Sequence, residues 1–332
     1  MAGETSATYF TANAVTDKTS SDVFLPELWS DEVIASYKTN LKMVPLCKSM
    51  PVTGQKVKQL HIPKPERGTA SKKAEATAVT IQASLDTELL VNIDRHFEYS
   101  KLIEDIVDVQ AKDSLRQHYT DDAGYQLAKQ MDDDLFACFT GVGDGTRVEL
   151  EDLAGDGTDW VNSNVYYNNG GSALTAYAVD TVVAADVFDD VAFRALIQKM
   201  DENDVPLDNR AFVIPPTLRN AIMGVERYVS SDFRDERTVK SGLIGSVYGI
   251  DIYVSNNCPV LETAASNSAS TLDTVGAFLF HKDTVVMCEQ MSVRSQQQYK
   301  QEYLATLYTA DTLYGIETYR PESGFVLAVP KN

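Results

Sequence analysis

The feature that most constrains this chain lies between Asp113 and Thr140. Leu115, Tyr119, Ala123, Leu127, Met131, Leu135 and Phe139 recur there at a strict four-residue spacing. That spacing predicts one long helix, with Asp113 or Ser114 as its N-cap and Gly141 as its stop. At about 1.5 Å per residue the rod is on the order of 40 Å long. A pure four-residue stripe drifts by about 40° per step on a 3.6-residue helix, so it winds around the rod. Successive turns should therefore face different neighbours, not one flat core.

Charge is divided unevenly along the sequence. From Glu104 to Asp134 nine acids, among them Asp121, Asp122, Asp132, Asp133 and Asp134, stand against Lys112, Arg116 and Lys129. Residues 48–73 are the reverse. Lys48, Lys56, Lys58, Lys64, Arg67, Lys72 and Lys73 face a single acid, Glu66, a balance of +6 against −6 for the helical region. Loose alternation from Val52 to Ile62, a turn at Gly54 and the stop at Pro63 and Pro65 predict a long two-stranded excursion, with its return strand near 78–93. Such a hairpin has little core of its own and needs a surface to lie on. The whole chain carries 48 acids and 29 bases in 332 residues, a net charge of −19. Tight, general DNA binding through phosphate neutralisation needs a concentrated basic face, which this balance opposes.

The remaining stretches read as a mixed α+β protein. Residues 1–24 are small, polar and aperiodic, an arm ordered only by something else. Pro26-Glu27 opens a helix-spaced stretch through Tyr37. Seven of the eighteen glycines fall within 141–180, which predicts loops and short hairpins. A helix is expected at Val187–Met200, with Val187, Val191, Ala195 and Leu196 on its apolar face. Strands are expected at Arg210–Pro215, Ile250–Val254, Ala277–Phe280, Thr284–Cys288, Tyr303–Tyr308, Gly315–Tyr319 and Phe325–Val329. A short helix is expected at Thr217–Met223, and the charged stretch Glu226–Lys240 reads as an exposed loop. No apolar run is long enough for a membrane helix, and the start lacks the pattern of a signal peptide. The four cysteines, Cys47, Cys138, Cys258 and Cys288, contain no C-x-x-C pair and fit reduced, buried thiols.

Catalytic signatures are missing from the sequence: it has no G-x-S-x-G, no H-E-x-x-H and no phosphate-binding G-x-x-x-x-G-K-[ST]. The run from Gly141 to Thr146 imitates a nucleotide loop, but it follows a helix where the fingerprint needs a strand. Asp132, Asp133 and Asp134 point about 100° apart on a helix and cannot converge on one ion, so they read as a solvated or salt-bridged face. His61, His96, His118 and His281 are scattered, outside zinc-ligand spacing. The late tyrosines Tyr299, Tyr303, Tyr308, Tyr314 and Tyr319 read as sheet core or subunit contact. No active site, metal or cofactor is implied.

The order of these parts, with Phe24–Trp29 (FLPELW), Asp105–Tyr119 and Tyr319-Arg320-Pro321-Glu322, resembles the major capsid proteins of tailed double-stranded-DNA bacteriophages, which share the Hong Kong 97-like fold. The resemblance implies an N-terminal arm at 1–24, a P-domain start at 25–47 and an extended E-loop at 48–92. It implies a P-domain with its spine helix at 93–140 and an A-domain at 141–300, where 141–180 is an insertion. A P-domain return strand at 301–315 and an A-domain strand at 316–332 complete it. It further implies hexamers and pentamers of one chain in an icosahedral head, and portal, scaffolding and decoration or cement proteins as partners. Packaged DNA would be enclosed without tight specific binding, in a virion assembled in the bacterial cytoplasm. The E-loop cations Lys56, Lys58, Lys64, Arg67, Lys72 and Lys73 are expected to meet spine-helix acids Asp121, Asp122, Asp132 and Asp133 of an adjacent copy, where opposite potentials fix register. An encapsulin-type nanocompartment shares the fold and is the alternative. An acidic α/β enzyme is the alternative of another class.

Overall fold

A computed structural model of the chain describes residues 42–65, 68–79, 81, 86–106, 115–170, 173–225, 245–269 and 271–331. The arm, the FLPELW opening, the helix expected after Pro26, the caps Asp113 and Ser114, Arg67 and the loop at Glu226–Lys240 lie outside the described residues.

Two sheets organise the molecule. The larger has eight strands: β5 (Val165–Asn169), β6 (Ala173–Ala176), β7 (Arg210–Ile214), β8 (Ser246–Val247), β9 (Ile250–Val254), β10 (Val260–Glu262), β11 (Thr274–His281) and β14 (Gly324–Pro330). Its order is β6-β5-β14-β11-β7-β9-β8, with β10 added on β11. The pairs β5–β14 and β7–β9 are parallel and the rest antiparallel. Its central strands read as unbroken apolar runs because both faces are covered. Phe278, Phe280, Ala211, Val213, Val326 and Ala328 point into one core. Their chain neighbours Ala277, Leu279, Phe212, Ile214, Phe325 and Leu327 point into a second core on the opposite face.

The smaller sheet joins β1 (Lys48–Ser49), β4 (Arg95–Glu104), β12 (Val285–Lys300) and β13 (Ala305–Thr318) in the order β1-β12-β13-β4. Its centre is the long antiparallel hairpin β12–β13, which extends well past the short strands expected at Thr284–Cys288 and Tyr303–Tyr308. The outer half of β12 is exposed and polar, so no apolar alternation announces it; main-chain pairing from Arg294↔Asp311 to Lys300↔Ala305 holds it. The excursion forms its own two-stranded sheet, β2 (Gln59–Lys64) with β3 (Thr87–Asn92), in register from Gln59↔Asn92 to Lys64↔Thr87. The return strand is thus shorter than 78–93.

The helices are α1 (Met43–Leu46), α2 (Leu115–Ala137), α3 (Asp190–Glu202) and α4 (Pro216–Gly224). The long helix gives way to a 3-10 turn at Cys138–Gly141, where the Thr140 hydroxyl donates to the Ala137 carbonyl at 2.8 Å and tightens the last turn. Its stripe does wind. Ala123 and Leu127 pack on Tyr308 and Ala310 of the smaller sheet. Met131, Leu135 and Phe139 enter the first core, where Phe139 meets Phe278 and Phe280 at 5.1 and 5.0 Å between rings.

On α3 the expected apolar face holds at Leu196 but not at Val187 and Val191. Val187 and Val191 are each 44% exposed, while Ala192, Phe193, Leu196 and Met200 are buried. Asp189 caps the helix by accepting the Asp190 N–H at 2.7 Å, so Val187 falls outside it. The larger side chains at 193, 196 and 200 then claim the core. The glycine-rich stretch folds into 3-10 turns and the β5–β6 hairpin, and it packs closely. Gly143, at φ +90°, passes so near Ser163 that a Cβ would lie 2.2 Å from that hydroxyl. Its N–H donates to the Pro321 carbonyl at 3.0 Å.

Candidate assembly surfaces

The root of the excursion is tied to its own subunit. Val52, Val91 and Ile93 share a small core with Val286 and Cys288, joined by Leu60, Ile62 and Leu89. Main-chain bonds run from Met50 to Met287 (2.8 Å), Val52 to Glu289 (3.1 Å) and Ile93 to Lys58 (3.0 Å). The Gln290 amide donates to the carbonyls of Gln55 and Val57 at 2.7 and 2.9 Å. Beyond Lys64 this support ends: every residue of 68–79 is exposed and outside any strand. Lys56, Lys58, Lys64, Lys72 and Lys73 are all exposed, and none pairs with an acid of its own chain among the described residues.

The acids expected on the long helix divide. Asp121 is exposed, and Asp122 accepts the Tyr99 hydroxyl at 3.1 Å. Asp132 departs from the expected solvated face. It is fully buried and accepts the Met43 N–H at 2.8 Å and the Asn257 amide at 3.2 Å. Asp133 accepts from the same Asn257 amide and lies 4.0 Å from the Lys129 ammonium. Asp134 is buried against the Arg95 guanidinium at 2.8 Å and the Tyr314 hydroxyl at 2.8 Å. All three consecutive acids therefore join the helix to other parts of the same subunit, and the fully buried Asp132 is not available to a neighbour. Burial pushes the Asp132 carboxyl up, although its N–H donors pull the other way. Burial also pushes Asp133 up to about 6, opposed by Lys129.

The closing motif is an internal junction. The Tyr319 and Arg320 N–H groups both donate to the Thr284 carbonyl, at 2.8 and 3.2 Å. The Lys48 ammonium sits 4.6 Å from the centre of the Tyr319 ring, so the motif touches the start of the excursion. Pro321 opens a 3-10 turn and its carbonyl accepts the Asn164 amide at 3.2 Å. The Glu322 carbonyl accepts from Asn203, the C-cap of α3, at 2.9 Å. Four distant segments meet there.

Of the late tyrosines, Tyr308 and Tyr314 are buried, whereas Tyr299 and Tyr303 are exposed at 47% and 64%. Cys47, Cys138 and Cys288 are buried and Cys258 is half-buried; all four are free thiols. Burial pushes the Cys138 thiol up to about 11 despite the Arg147 charge nearby. Among the described residues no group of three or more His, Cys, Asp or Glu side chains is placed to hold a metal ion, and no helix is long and apolar enough to cross a membrane.

A family model described as "Phage capsid protein" matches residues 101–322, well over half of the chain. No curated protein matches. Among solved structures, a chain of Mycobacterium phage Che8 superposes with a TM-score of 0.70 at 22% identity, over 92% of this chain and 97% of that one. The capsid of cyanophage P-SCSP1u gives 0.71 at 20% identity, with all of both chains covered. The capsid of cyanophage Pam1 gives 0.71 at 11% identity, over 96% and 99%. The fold as a whole is thus that of phage capsids, and with a family model spanning residues 101–322 this chain belongs to the phage capsid protein family, a major capsid protein of the Hong Kong 97-like fold that forms the phage head.

Proposed function

We propose that copies of this chain form hexamers and pentamers through the excursion of one subunit lying on the long helix of the next. The observation that carries this reading is the excursion itself: five exposed lysines with no acid partner among the described residues of their own chain, on a segment whose described residues 68–79 are all exposed. On the helix such a contact would fall at the exposed Asp121 and the half-buried Asp122, which also accepts the Tyr99 hydroxyl. Lys56, Lys58, Lys64, Arg67, Lys72 and Lys73 steer the approach and set its register. Individual exposed pairs contribute only about 0–1 kcal/mol each, so the holding energy must come from wide interfaces made together.

In this reading, residues 48–92 serve as the E-loop and 93–140 with 301–315 as the P-domain. Residues 141–300 with 316–332 serve as the A-domain, and 1–24 is an arm held by neighbours. The role is structural, without catalysis. The head encloses double-stranded DNA and repels it from an acidic wall, and a portal, a scaffold and a decoration or cement protein complete it in the host cytoplasm. The test is charge reversal: Lys56, Lys58, Lys72 and Lys73 to Glu in one variant. The subunit should keep its circular dichroism and melting behaviour while electron microscopy finds no capsomers or shells. Normal particle yield at physiological salt would overturn the docking.

A further inference from the structure

The outer half of β12 leaves one edge of the smaller sheet open. On that edge β1 pairs only at Lys48↔Val286 and Ser49↔Met287, and the main-chain bonds that follow end at Val52 to Glu289. Between Ser292 and Lys300 no strand covers it among the described residues. The register with β13 shifts between Glu289 and Arg294 and is regular from there to Lys300. At about 3.4 Å per residue, roughly 20 Å of straight strand turns its outward N–H and C=O groups into a template for another strand. The usual guards against such pairing are missing there. Ser292 to Tyr299 contains no proline and no lysine. Its one charge, Arg294, is neutralised by the bidentate bond to Asp311 at 2.8 Å.

The side chains select the partner. Val293 and Tyr299 are each 47% exposed, and with Ser295 and Gln297 they share one face of the strand. Set antiparallel against a second copy of itself and centred on Gln296, the strand brings each Val293 opposite the partner subunit's Tyr299. Gln296 then faces its own copy through an amide that both donates and accepts. Arg294 falls opposite Gln298 and Ser295 opposite Gln297, so no two like charges meet. Centring on Gln297 would instead set Arg294 against Lys300. The strand is thus self-complementary in one register. An edge this short buries far less than the roughly 800 Å² per partner of a stable complex. It holds only where many such contacts form together, as in a shell of identical chains.

We propose that β12 pairs edge to edge with β12 of a second copy, about a two-fold axis at Gln296. The same patch serves both copies, so the contact is isologous and stops at two subunits. It goes beyond the docking of the excursion and does not depend on it: a head-to-tail contact closes rings, and a two-fold contact ties one ring to the next. The experiment uses the full chain carrying Gln296→Cys, assembled into particles and oxidised with diamide. A disulfide dimer on a non-reducing gel is the expected result. It should be absent from the wild type and from Gln298→Cys, whose thiols lie about 14 Å apart in this register. Particles without that dimer, or with an equal one from Gln298→Cys, would overturn the proposal while leaving the docking of the excursion intact. A wild-type chain that never assembles would overturn both. Charge supplies a second readout. Gln296 is exposed, so Gln296→Lys and Gln296→Glu should each keep the melting midpoint of the subunit. Each alone sets like charges face to face and should lower particle yield about fivefold, and an equal mixture of the two should restore most of it. A mixture that restores nothing would overturn the pairing. A joint fall of midpoint and yield would assign Gln296 to the subunit's own fold instead.

Discussion

Asp133 shows how one residue position can serve the fold at a cost. Its carboxylate is drawn out of water to meet Asn257, with Lys129 at 4.0 Å and Asp132 and Asp134 on either side. Burial, reinforced by those two acids, raises its pKa to about 6, above the ordinary value of an unfolded chain near 3.9. The folded subunit therefore binds this proton more tightly than the unfolded one. The charge costs stability above about pH 6, and that cost disappears as the pH falls through the folded value. Asp311 has the opposite sign. A bidentate Arg294 bond at 2.8 Å holds its carboxyl below the usual range, so its contribution is present at neutral pH and lost in acid. Asp133→Asn keeps an oxygen for the Asn257 amide and removes the charge. Its melting midpoint should exceed wild type at pH 7.5, and the two should converge as the pH approaches 4. Parallel curves across that range would show that the burial of Asp133 carries no proton linkage. None of this was legible in three consecutive acids on a helix, which resemble a solvated face. The partners of Asp132 lie 89 and 125 residues away.

Among the elements, legibility followed burial. Strands β7 and β14 carry apolar residues on both faces and were expected almost to the residue, while β11, Thr274–His281, runs past both ends of the Ala277–Phe280 expected for it. The long helix was equally plain from its spacing, and so was the consequence that its turns serve two different cores. The outer half of β12 was hidden, because a strand exposed on both sides leaves no apolar period. The helix α3 was found with its face one residue off, since Phe193 outweighs Val191 for the core. The attachment of the excursion was also hidden, because it depends on an absence. Gly315 on β13 pairs with Cys288, and a Cβ there would lie 2.1 Å from the Asn92 carbonyl oxygen and 3.1 Å from the Ile93 Cα. Both belong to the backbone that leads from β3 into β4, which cannot step aside as a flexible side chain would. Gly315→Ala should therefore destabilise the subunit by about 1–3 kcal/mol, the usual cost of overpacking. Hydrogen exchange should rise first at residues 89–93. An unchanged melting midpoint would mean that the root of the excursion yields freely.

At the scale of the whole molecule, the charge map and the apolar map assign different tasks to the same contact. A subunit of net charge −19 repels its copies at long range, and only a locally basic excursion can approach an acidic neighbour productively. Attraction between exposed charges is screened beyond about 8–10 Å at physiological ionic strength, so salt acts on the approach. It acts little on apolar surface once that surface is buried. The two tasks can therefore be separated by adding sodium chloride at different times. Added before assembly, it should slow the initial rate, followed by light scattering, progressively between about 0.05 and 0.5 M. Added after assembly, the same salt should leave particle size and number unchanged by light scattering and microscopy. A rate indifferent to salt would remove the lysines from the approach. Particles that fall apart in salt would mean that charge, and not buried apolar surface, holds the copies together.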